Sequence, residues 1–84
     1  MTPSELLLYR LEKAYFSDHS RNDALQSIVW YVSTGRASPA WIRAARKADP
    51  AKLLDHIRGG TVDDQVARAT GYLKRYCKYK EVYA

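Results

Sequence analysis

Each of the three prolines in this chain follows a residue that caps helices: Thr2-Pro3, Ser38-Pro39 and Asp49-Pro50. Proline at the first helical position costs nothing, because its missing N–H would have no partner there and its fixed φ suits the first turn. Thr2-Pro3-Ser4-Glu5 is also a capping box, in which the Thr2 hydroxyl accepts from the Glu5 amide and Glu5 reaches back to the Thr2 amide. Thr61-Val62-Asp63-Asp64 supplies a fourth start, with two carboxylates complementing the helix dipole. Gly35 and Gly59-Gly60 stand where helix ends are expected. These signals predict helices over about 3–16, 22–34, 39–48, 50–58 and 62–80, the third and fourth nearly abutting at Asp49-Pro50. No stretch alternates apolar and polar residues for long enough to form a strand. The expected fold is all-α: a compact single domain of four to five short helices, a helical bundle spanning residues 1–84.

The helical period places an apolar arc on every predicted helix. Leu7, Leu8, Leu11, Ala14 and Tyr15 share one in the first, and Leu25, Ile28, Val29 and Val32 in the second. The third offers Trp41, Ile42, Ala45 and Ala48, the fourth Leu53, Leu54 and Ile57. The fifth offers Val62, Val66, Ala69, Leu73, Tyr76 and Cys77, with Gly71 inside it at a cost of about 1 kcal/mol relative to alanine. At 84 residues the core is modest.

Several function classes fall away. Cys77 is the only cysteine, so neither a disulfide framework nor a cysteine-based zinc site is expected. On the apolar arc it reads as a small buried hydrophobe rather than a nucleophile. His19 and His56 lack a second ligand at helical spacing, so no metal is expected. Gly59-Gly60 lacks the lysine and hydroxyl of a phosphate loop, and no cofactor is expected. Leu6-Leu7-Leu8-Tyr9 is interrupted by Arg10, Glu12 and Lys13, and no apolar run approaches the length of a membrane span. No secretory signal is visible, so the expectation is a non-enzymatic cytoplasmic protein without membrane contact.

The net charge of +5 is unevenly spread. Residues 36–58 carry Arg36, Arg43, Arg46, Lys47, Lys52 and Arg58 against Asp49 and Asp55, a net of +4. Residues 71–84 carry Lys74, Arg75, Lys78 and Lys80 against Glu81, a net of +3. The stretches 1–35 and 59–70 are each net −1. Two basic blocks of this kind suit a polyanion, although solvated helix faces produce the same composition.

Each block has a recognisable outline. In the second, Arg68, Tyr72, Arg75 and Tyr79 recur at helical spacing, flanked by Lys74 and Lys78, and four of the seven tyrosines fall between residues 72 and 83. Arginine interleaved with tyrosine suits a stacking surface for nucleic acid and equally a protein interface. In the first, a helix ending at Gly35, a short turn and a basic helix after Ser38-Pro39 are similar in outline to a helix-turn-helix. Trp41 and Ile42 would anchor the second helix, with Arg43, Arg46 and Lys47 outward; bulky Tyr31 departs from the small residue that close helix crossing wants. Trp30, Tyr9 and Phe16 lie off the main apolar arcs and are candidates for a protein or homodimer interface.

The leading expectation is a small regulatory protein that binds nucleic acid through Arg36, Arg43, Arg46 and Lys47 in one block and Arg68, Tyr72, Arg75, Lys78 and Tyr79 in the other. The alternative is a protein-interaction module, an inhibitor or adaptor that docks on an acidic surface of a larger, nucleic-acid-handling complex.

Overall fold

The computed structural model describes residues 1–81. Its elements are α1 (Pro3–Ser17), a single 3₁₀ turn (His19–Arg21), α2 (Asn22–Ser33), α3 (Pro39–Lys47), α4 (Pro50–Ile57) and α5 (Val62–Tyr76), with no strand among the described residues. All four expected caps form. The amide of Glu5 donates to Thr2 Oγ1 at 3.1 Å, that of Trp41 to Ser38 Oγ at 3.1 Å, that of Lys52 to Asp49 Oδ1 at 3.1 Å and that of Asp64 to Thr61 Oγ1 at 3.1 Å. Both Thr2 and Thr61 complete capping boxes. Gly35, at φ 76°, closes α2 in a Schellman turn, with Arg36 N donating to Tyr31 O and Gly35 N to Val32 O.

The last helix stops four residues earlier than its sequence predicts, at Tyr76 rather than 80. The carbonyl of Leu73 accepts from both Cys77 N and Tyr79 N, and Lys78 adopts the left-handed conformation at φ 56°. The turn brings the Tyr79 ring back against the core instead of leaving it on the helix surface. Burial of that ring offsets the left-handed lysine.

One core joins all five helices. The shortest helix, α4, sits at its centre: it packs on α1, α2 and α5, and Leu53, Leu54 and Ile57 are fully buried. Trp41 is buried under the edge of Tyr31, and its indole N–H donates to Thr70 Oγ1 at 3.0 Å. The apolar arcs hold except in α5, where Val62 and Tyr76 are exposed and Cys77 is half-buried. Burial pushes the Cys77 thiol up, against the pull of Lys47, so it stays protonated at neutral pH. Gln65, which no apolar arc predicts, is buried instead. It accepts from the Ser27 hydroxyl and donates to Asp23 Oδ2 at 2.9 Å, and so ties α5 to α2.

The helix-turn-helix outline is not what forms. α3 packs against α1 and α5 rather than back along α2. Between α2 and α3 the bulky Tyr31 ring packs edge-on against Trp41, 5.0 Å between centroids, where a close helix crossing wants a small residue. Among the described residues no helix is long and apolar enough to cross a membrane.

Candidate nucleic-acid interface

Because α1 lies along α3, side chains from distant parts of the chain meet. Arg10 and Tyr9 of α1 face Arg43, Arg46 and Lys47 of α3 across a groove of about 560 Å³, with Leu6 on its apolar wall. Arg10 is held in place by α3 itself, since its Nη2 donates to the carbonyl of Ala48, the C-cap residue, at 3.3 Å. The carbonyls at a helix C-terminus attract cations, which accounts for the gathering of Arg10, Arg46 and Lys47 at this end of α3. Among the described residues the groove lining includes no carboxylate.

The second basic block reaches the same helix from the other side. After the turn at Lys78 the chain runs beside α3, and Arg43 and Lys47 line a smaller depression of about 160 Å³ together with Cys77, Lys78, Tyr79 and Lys80. The exposed face of α3 is therefore flanked by cations on both sides. Among the described residues Asp49 and Glu81 line neighbouring hollows, and both are engaged: Asp49 caps α4, and Glu81 pairs with Lys74 at 2.8 Å.

Of the nine basic and tyrosine residues picked out in the two blocks, Arg43, Arg46, Lys47, Lys78 and Tyr79 come together on this face. The other four lie elsewhere. Arg36 stacks its guanidinium over Trp30, 4.6 Å from the ring centroid. Arg68 turns inward, and its Nη1 donates to the carbonyls of Ile57 at 3.0 Å, Arg58 at 3.1 Å and Gly59 at 2.6 Å. It closes the end of α4 and is a structural residue. Tyr72 packs between His56 and Tyr76, and Arg75 stands over Tyr76, on the side of α5 that meets α4. Of the expected stripe, Tyr79 leaves because α5 ends early and Arg68 because its guanidinium turns to the end of α4, while Tyr72 and Arg75 stay on the helix. Tyr83 lies outside the described residues.

No protein-family model, no curated protein and no solved structure matches this chain.

The three aromatics expected at an interface are all exposed: Phe16 at 69%, Tyr9 at 47% and Trp30 at 38%. Each sits in its own surroundings. Tyr9 belongs to the basic groove, with Lys13 Nζ 4.7 Å from its ring centroid. Phe16 leans on Tyr15, which stacks on His19, and Trp30 carries Arg36. Arg10 and Lys80 also line these hollows, a placement that depends on which parts of the chain lie beside α3. The only sequence signal for Arg10 is its place next to Tyr9, off the apolar arc of α1.

Around the 3₁₀ turn and the end of α4 the cations are paired internally. Arg21 grips Asp55 with two bonds, Nε to Oδ1 at 2.9 Å and Nη2 to Oδ2 at 3.2 Å, and Arg58 joins it at 3.4 Å. The Arg21 hydrogen bond holds the Asp55 carboxyl below its ordinary range. Arg58, part of the first basic block, therefore answers a carboxylate of the protein itself.

Proposed function

We propose that this chain is a small, non-enzymatic regulatory binding protein whose basic face across α3 binds nucleic acid. The observation that carries the reading is the convergence of Arg10, Arg43, Arg46 and Lys47 on one groove with no carboxylate among the described residues that line it. Arginine offers a planar fork that matches phosphate oxygens, and lysine a mobile point charge. Both release condensed counterions when they replace them at a phosphate backbone. Folding has already brought these charges together, so a phosphate ligand relieves a repulsion that the free protein carries. The test is a mobility-shift assay at low salt with wild type and the Arg43→Ala/Lys47→Ala double variant. Wild type shifts the probe and the double variant loses most of the shift. Absence of any shift with wild type overturns the proposal.

The exposed rings favour a second reading, a protein-interaction module that acts as inhibitor or adaptor on an acidic partner surface. Phe16 and the Trp30–Arg36 pair are its anchors, because aromatic and arginine side chains carry much of the energy at protein interfaces. Affinity capture of the tagged chain from its host, with and without nuclease, separates the readings. Capture that survives nuclease and fails after Trp30→Ala supports the second.

A further inference from the structure

We infer that the nucleic acid this face takes is single-stranded, an inference that rests on the binding role proposed above. The first argument is the way α3 is presented. A helix with its side chains is about 10–12 Å across and already fills a major groove about 12 Å wide. A recognition helix must therefore stand clear of its neighbours. Here the groove on one side of Arg43 and Lys47 is walled by Leu6, Tyr9 and Arg10 of α1. The depression on the other side is walled by residues 77–80. Both flanks of α3 are lined by other parts of the chain, so α3 is not presented alone as a recognition helix is.

The second argument is the chemistry of the walls. A groove of about 560 Å³ is of the size that holds small ligands, and it admits a nucleotide-sized group. Its cations sit beside a tyrosine and a leucine, a combination that binds the phosphate and the flat face of an unpaired base together. Tyr9 and Arg10 also line the neighbouring depression of about 400 Å³ between α1 and the start of α4, together with Lys13 and Asp49, so Tyr9 borders two hollows. A strand that passes from one hollow to the other keeps a phosphate at Arg10 while a base lies against Tyr9. Duplex bases are already stacked and cannot use that ring.

Fluorescence anisotropy at one low salt concentration tests the inference with three labelled probes: oligothymidylate, oligouridylate and a mixed-sequence DNA duplex of equal length. Both single strands are expected to bind at least about tenfold more tightly than the duplex. Tyr9→Leu, at an exposed position, lowers single-strand affinity about tenfold, leaves the duplex unchanged and keeps the wild-type thermal melt. Tyr9→Phe retains single-strand binding, because the ring remains. Arg43→Ala weakens all three probes. A duplex that binds as tightly as the single strands overturns the inference, as does a Tyr9→Leu variant that loses both equally. If wild type binds none of the probes at low salt, the binding role itself fails, and the strand preference with it.

Discussion

Arg68 commits its charge to the protein itself. One of its guanidinium nitrogens answers three carbonyls at the end of α4, groups that a helix C-terminus leaves without partners. The other nitrogen lies where a side chain on Gly60 would have to go: a Cβ there would approach Arg68 Nη2 to 2.9 Å, at a φ of 81° that already favours glycine. Arg68→Ala therefore lowers stability by about 1.5–3 kcal/mol in chemical denaturation while nucleic-acid affinity changes less than about twofold. Loss of affinity without loss of stability would return Arg68 to the binding surface. A helical wheel places both Arg68 and Arg43 off the apolar arcs of their helices and so does not separate them. What separates them is the neighbour each meets. Gln65 was illegible for the same reason: its burial depends on Ser27 and Asp23 waiting opposite to satisfy both ends of the amide.

At the scale of elements, starts were more legible than stops. A helix start is a local event, in which one side-chain oxygen and one amide three residues on suffice, and all four expected caps are in place. The end of α5 depends on the core. No glycine or proline marks it, and it forms because Tyr79 gains burial by turning back. The neighbours of α3 were equally hidden, since proximity in sequence suggested α2 and packing chose α1 and α5. Gly71 lies inside α5, exposed, with open space where a Cβ would stand, so no close packing requires it. Gly71→Ala is expected to stabilise the protein by about 0.5–1 kcal/mol, a rise of several degrees in Tm. An unchanged or lower Tm would mean that α5 needs the flexibility.

The whole molecule sorts its charges by region. Arg21, Arg58, Asp18, Asp23 and Asp55 satisfy one another and nearby backbone around the 3₁₀ turn and the α4–α5 connection. Arg10, Arg43, Arg46, Lys47, Lys78 and Lys80 face outward around α3. The acid side has a consequence for stability. The side-chain hydrogen bond of Ser20 holds Asp18 below the ordinary carboxylate range, and that of Arg21 does the same for Asp55. At Asp23 burial works the other way, but hydrogen bonds from Gly59, Ala24 and Gln65 prevail and the pKa is lowered. All three therefore bind protons less readily folded than unfolded. Their contribution is complete above the unfolded value near 3.9 and is lost as the pH falls through the lower folded values. Thermal melts should hold level from neutral pH to about 5 and decline below about 4; a decline that began at higher pH would contradict this account. The basic side carries the central claim, and a salt titration of nucleic-acid binding tests it most directly, with wild type and Arg43→Ala measured side by side. Four or more phosphate contacts predict a log–log slope of about −3 or steeper for wild type, reduced in magnitude by about 1 in the variant. Affinity that ignores salt, or a slope that Arg43→Ala leaves unchanged, would contradict the assignment of this face to phosphate.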